Sequence, residues 1–170
     1  MKIKHSGKLV LTTPSDREIR MARDFNAPRE LVWDAWTKPE IVQRWLGVFA
    51  GNTMPVCEID LRVGGRFRWV WRGPMCGADG GPGDMKMGGV YKEIVHPTKL
   101  VCTEEWEQAW FPGDTLNTLV FEDLGGGRTR STNTIVYATK EARDLVLKTP
   151  MAEGVNAGYD QLDRVLAELP

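Results

Sequence analysis

Side chains able to do chemistry are sparse in this sequence of 170 residues, and their spacing excludes more than it supports. Of its two histidines, His5 stands in a lysine-bearing N-terminal stretch and His96 directly precedes Pro97. General acid–base chemistry needs such a group where strand ends converge on a substrate, which neither position offers, so no catalytic residue is assigned. Two separated histidines and three scattered cysteines (Cys57, Cys76, Cys102) contain no pair at metal-ligand spacing. No metal and no cofactor is therefore expected. The odd cysteine count reads as reduced thiols in a cytoplasmic protein. Cys57 and Cys102 fall in strand-like stretches and read as small buried hydrophobes. Cys76 falls in a glycine-rich loop and is expected to be the exposed, reactive thiol.

That loop, residues 73–89, holds seven glycines and two prolines. It lacks the Gly-Lys-Ser/Thr ending of a phosphate-binding loop and no helix follows it, so it reads as a long flexible connection. A flexible loop at a cavity mouth can serve as a lid. Arg66, Arg68 and Arg72 alternate with aromatic residues and face Glu58 and Asp60 in sequence register, the pattern of a solvated sheet face. With a net charge of −1, the chain lacks the positive field of a nucleic-acid binder.

The tryptophans are the better lead. There are seven, placed where an apolar hollow could use them: Trp33, Trp36 and Trp45 early in the chain, Trp69 and Trp71 on one strand face, and Trp106 and Trp110 about a turn.

These side chains are positioned by a simple order of elements. Arg17–Phe25 alternates as a half-buried strand, with Ile19, Met21 and Phe25 on one face. Leu9–Leu11 suits an edge strand within an extended N-terminal arm, residues 1–14. Pro28 opens a helix ending at Trp36, and Pro39 opens a second through Leu46, closed by Gly47. Strands are expected over 56–63, 67–71, 90–95, 100–106, 115–122 and 128–137. For the first hairpin, a three-residue loop at Gly64–Arg66 would pair Leu61 with Trp69 and Ile59 with Trp71, and set Glu58 beside Arg72. A brief helix over 140–148 is capped by Thr139. The last twenty residues, Pro150–Leu169, form a long amphipathic helix, with Thr149 as its cap.

Hairpin turns throughout and helices segregated from strands define an α+β fold. We expect a curved antiparallel β-sheet gripping a long C-terminal α-helix, with two short helices after the first main strand. One domain spanning residues 1–170 is expected, with neither repeat nor linker. No apolar run approaches the ~20 residues that span a bilayer. The N-terminal apolar segment is too short for a signal peptide.

Five stretches carry a family resemblance: FNAPRELVWDAWTKPEIVQRWLG, VGGRFRWVWRGP, GGVYKEIVHPTKLVCTEEW, TLVFEDLGGGRTR and EGVNAGYDQLDRVL. Together they run from Phe25 to Leu166. On these the chain resembles the START-like (SRPBCC, helix-grip) superfamily, and within it the activator of heat-shock protein 90 ATPase homologue-like family. The resemblance implies a strongly bent sheet gripping the terminal helix around a cavity. It implies a range of functions, from lipid and polyketide binding, through polyketide cyclisation, to stimulation of a chaperone ATPase in the stress response. No shared catalytic set comes with it. Relatives often read R-W-W-G-P where this chain has Arg44-Trp45-Leu46-Gly47-Val48.

The leading expectation is a binder of a small hydrophobic or aromatic molecule, held between the C-terminal helix and the sheet. The expected lining is Trp36 and Trp45 from the short helices, with Phe67, Trp69, Trp71, Trp106, Phe121 and Tyr137 from the strands. Met151, Gly154, Val155, Gly158 and Tyr159 complete it from the first half of the helix. Gly154 and Gly158, which cost ~1 kcal/mol each against alanine in a helix, fit either a hollow or close approach of the sheet backbone. Glu104, with Asn117 and Asn133, joins the site if its side of the strand faces inward, which alternation leaves open. A cyclase- or hydrolase-type enzyme and a chaperone ATPase activator acting through its surface are the alternatives. A homodimer or a chaperone stands open as partner; nucleic acid and membrane are not expected.

Overall fold

The computed structural model describes residues 3–6 and 8–170, with side chains from Lys8 onward. The side chain of His5 therefore lies outside the described residues, as do Met1, Lys2 and Gly7 of the N-terminal arm. Among the described residues a single sheet takes nine antiparallel strands: β1 (Ile3–Ser6), β2 (Leu9–Thr12), β3 (Glu18–Phe25), β4 (Thr53–Ile59), β5 (Arg66–Gly73), β6 (Gly83–Val95), β7 (Lys99–Trp106), β8 (Thr115–Gly125) and β9 (Arg128–Val136). Their spatial order is β1-β2-β3-β9-β8-β7-β6-β5-β4. Strands β4 to β9 form a six-strand meander, and β3 closes onto β9 with Ile19 opposite Ile135 and Phe25 opposite Thr129.

Helices α1 (Arg29–Thr37) and α2 (Pro39–Trp45) meet at the Lys38–Pro39 corner, because a proline at the first helical position needs no amide partner. The Trp45 indole donates to the Ala35 carbonyl at 2.8 Å and ties the two together. Thr139 caps α3 (Lys140–Leu147), its hydroxyl accepting from the Ala142 amide at 3.0 Å. Thr149 does not cap α4 (Met151–Glu168): its hydroxyl donates instead to the Val146 carbonyl, which closes α3.

Two stretches differ from their sequence reading. The 73–89 segment is loop only to Pro82; β6 begins at Gly83 and runs for thirteen residues. Glycines 88 and 89 sit inside a strand because the neighbouring backbone leaves no room for a Cβ. At Gly88 it would lie 2.7 Å from the Phe67 carbonyl oxygen, and at Gly89 it would run into that of Thr103. Glycine here answers crowding, not a turn. The β4–β5 hairpin is also shifted four residues from its expected register: Ile59 pairs with Phe67 and Cys57 with Trp69. Glu58 accordingly lies opposite Arg68, and Leu61 and Val63 belong to an exposed loop, at 39% and 66% exposure. A shift of four keeps side-chain parity, so the same apolar face still points inward. Arg68 and Arg72 pair on the outer face with Glu107 and Asp84.

The concave face of the sheet carries the core, with α4 laid across it. One charged residue anchors the helix there. Arg23 follows the inward parity of Ile19, Met21 and Phe25, and its fully buried side chain reaches Asp160 at 2.8 Å and Asp163 at 2.5 Å on α4. The same guanidinium donates to the Asn156 carbonyl at 3.1 Å.

Candidate functional site

The core does not fill the whole concavity. Between the first half of α4 and the β5–β7 face lies a cavity of about 280 Å³, near the lower end of the ~300–1,000 Å³ usual for ligand pockets. Each wall comes from a different element. The helices contribute Trp36 and Trp45 at the α1–α2 corner and Gly154, Val155, Gly158 and Tyr159 on α4. The sheet contributes Phe67, Trp69 and Trp71 from β5, Met85 and Tyr91 from β6, and Leu100, Cys102, Glu104 and Trp106 from β7.

Alternation makes this possible: Phe67, Trp69 and Trp71 share one face, so three large rings enter the concavity from a single strand. Trp69 and Trp71 meet edge to face at 5.9 Å, and Trp71 and Trp106 lie 6.0 Å apart. The Trp71 indole donates to the Leu46 carbonyl at 2.9 Å, fixing the exit of α2 against the sheet. Gly47, at φ +69°, permits that contact, since a Cβ there would strike the indole ring. A Cβ added at Gly154 would meet nothing within 4 Å, and one at Gly158 only ordinary contacts with Trp45 and Phe49. Of the two explanations for these glycines, a hollow fits and close backbone approach does not.

The polar pole of the cavity is small. Glu104 faces inward from β7 and is the sole charged residue in the described lining; no lysine, arginine or histidine joins it. Burial of its carboxyl, offset in part by a hydrogen bond with Asn117, pushes its pKa up to about 7. Asn133 lines the cavity from β9, and its Oδ1 is buried without a hydrogen-bond partner, as are Asn117 Oδ1 and Trp69 Nε1. Burial pushes the Tyr159 hydroxyl up to about 12. Buried polar atoms without partners are uncommon in native folds and mark places where a bound group or water completes the bonding.

Ten of the thirteen residues expected at the site meet around this cavity; Phe121, Tyr137 and Met151 do not. Phe121 packs against Trp33 and Trp36 in the core, at 6.0 and 5.2 Å. Tyr137 packs on Phe111 at 5.6 Å, beyond the lining. Met151 sits at the start of α4, against the core. Sequence reasoning missed Phe49 and Asn52 in the connection after α2, and Met21, Leu100 and Leu119 on the sheet floor. Inward parity of β3, β7 and β8 marks the last three; nothing in the sequence marks the first two.

The remaining reactive groups lie elsewhere or are inert. Cys76 is buried rather than exposed, because the shortened loop folds it back onto Asn52, with Sγ 3.6 Å from Oδ1; burial raises its pKa. Burial pushes the Cys57 thiol up to about 11 and raises that of Cys102 further. His96 pairs with Glu30 at 3.0 Å on the surface, its ring 5.1 Å from Trp33 and outside the cavity. Among the described residues no three His, Cys, Asp or Glu side chains cluster to hold a metal ion, and no helix is long and apolar enough to cross a membrane.

Comparisons with known proteins agree with this architecture. A Rhodobacter sphaeroides protein solved by crystallography is 31% identical, over 94% of this chain and 99% of its own, with a TM-score of 0.82. A Mycobacterium smegmatis protein at 21% identity covers 100% and 98% at a TM-score of 0.76. An Hsp90 activator from Plasmodium falciparum, at 17% identity and a TM-score of 0.61, covers 89% and 96% and shares the fold. No curated protein matches the chain significantly. The family model described as "Activator of Hsp90 ATPase homolog 1-like protein" matches residues 26–167. With that match spanning most of its length, the chain belongs to this family.

Proposed function

We propose that this protein binds a small, largely aromatic or apolar molecule in the cavity between α4 and the β5–β7 face. The observation that carries the reading is Gly154: a helix-interior glycine that borders empty space opposite a wall of tryptophans. A residue that only packed the core would gain helix stability as alanine, and a hollow walled by Trp36, Trp45, Trp69, Trp71 and Trp106 suits a flat apolar guest. Catalysis finds less support, because Glu104 stands alone among the described lining residues as an ionisable carboxyl, with no histidine beside it and only the Cys102 thiol, which burial holds protonated.

Tryptophan emission tests the reading. Titration with indole-sized aromatic compounds is expected to give a saturable quench or blue shift, since five of the seven tryptophans line the cavity. A linear, non-saturating response to every compound would contradict it.

The family's name supports a second reading, stimulation of a chaperone ATPase through the outer surface. Leu116 and Val120, exposed on the convex side of β8, are apolar groups available for such a contact. Acceleration of Hsp90 ATP hydrolysis by the purified protein would favour this reading, and an unchanged rate would count against it.

A further inference from the structure

The chemistry of the cavity says more about its guest than its size does. Its described lining contains a single carboxyl, Glu104, and no cationic side chain. The groups acting on Glu104 are few: burial and the Asn117 amide. Facing it are Cys102 on its own strand, Tyr137 after β9 and Tyr159 on α4, none of them a cation. Arg23, the nearest buried guanidinium toward Tyr159, is committed to Asp160 and Asp163. A half-buried acid in an apolar lining without a counter-ion is an unfavourable arrangement unless something else supplies the charge or the hydrogen-bond donor.

The Glu104 carboxyl and the unmet Asn133 Oδ1 offer acceptors to a guest from the described lining, against one unmet donor there, Trp69 Nε1. The walls have the same preference, since the faces of tryptophan, tyrosine and phenylalanine rings carry negative charge density. They attract a cation held over them. An anionic guest would meet both the rings and Glu104 as like charges, and a purely apolar one would leave the acceptors bare.

Resting on the binding reading above, we infer that the guest is an amine: a small aromatic body held among the tryptophans, with a protonated nitrogen donating to Glu104. The ammonium would supply both the missing charge and the missing donors. Pairing it needs Glu104 ionised, so binding near neutral pH releases a proton from the fraction of protein that holds one. Affinity then rises with pH through the titration of Glu104, and falls again once the free amine loses its own proton.

Calorimetric titration with three probes of one shape tests this: 2-phenylethylamine, 2-phenylethanol and phenylacetate. The expected result at pH 8 is at least tenfold tighter binding of the amine than of the alcohol, with phenylacetate weakest. In Glu104→Gln the amine's advantage over the alcohol is expected to vanish. Because that variant could misfold, the wild type carries an independent readout. Repeating the amine titration at pH 7 in two buffers of different ionisation enthalpy should reveal proton release. Equal binding of amine and alcohol, an amine preference that survives Glu104→Gln, or no proton release overturns the inference while leaving aromatic binding intact. Failure of all three probes to bind overturns the binding reading itself.

Discussion

The Trp71 indole nitrogen lies 2.9 Å from the Leu46 carbonyl oxygen, and that bond joins the end of α2 to the middle of β5. It sets the cavity's width at the corner where Trp45, Leu46 and Gly47 also line it. In Trp71→Phe the ring is largely kept and the Leu46 carbonyl loses its donor. The expected cost is about 1 kcal/mol, read as a lower urea midpoint with an unchanged slope. Gly47→Ala should cost more, because it adds strain at φ +69° to a clash with the indole.

Two glycines should respond in opposite directions to the same change. Gly154→Ala places a methyl in open space on a helix and is expected to stabilise the fold by about 0.5–1 kcal/mol. Gly89→Ala drives a methyl into the Thr103 backbone across the β-ladder and should destabilise by about 2 kcal/mol or more. Thermal melts of the two variants beside the wild type check both signs.

Glu104 makes stability depend on pH with a sign that can be stated. Its carboxyl titrates at about 7 in the fold, against 4.5 ordinarily. Below about 4.5 it is protonated in both folded and unfolded chains and costs nothing. Between there and about 7 the unfolded chain loses the proton first, so folded stability falls as pH rises and stays reduced above 7. Glu104→Gln removes this dependence. It should match the wild type near pH 4 and exceed it at pH 8 by on the order of 2 kcal/mol. Urea titrations at the two pH values measure the difference; equal stabilities at pH 8 would show a carboxyl in ordinary contact with water.

Much of the architecture is legible in the residues because two periods rarely conflict in this chain. Pro28, Pro39 and Gly47 delimit the short helices, and period-two runs delimit most strands. Where side chains stop carrying the signal, legibility stops too. Gly88 and Gly89 look like loop residues, yet are strand residues that face backbone on the next strand. The β4–β5 register followed from strand parity only to within multiples of two, and the long Asp60–Gly65 connection set the actual value. Arg23 alternates with the inward set but is charged; its partners Asp160 and Asp163 lie on the terminal helix, which no local pattern connects to β3.

The candidate site divides along the same line. Tryptophans on one strand face and glycines one turn apart on α4 were readable as a wall and an opening. Phe49 and Asn52 reach the cavity from an irregular connection containing Ala50 at φ +55° and Gly51 at φ +85°, where no period exists to read. Phe121 and Tyr137 face the concave side as expected but are covered by neighbouring rings, which only three-dimensional packing decides.

The central claim, that the space before Gly154 receives a guest, is tested most directly by filling it. Indole binding should be measured by tryptophan emission or calorimetry on the wild type and on Gly154→Leu, with melting curves confirming that both fold. Saturable binding to the wild type, and its loss in a Gly154→Leu protein of undiminished stability, is the predicted result. Equal binding to both proteins, or to neither, would contradict the account.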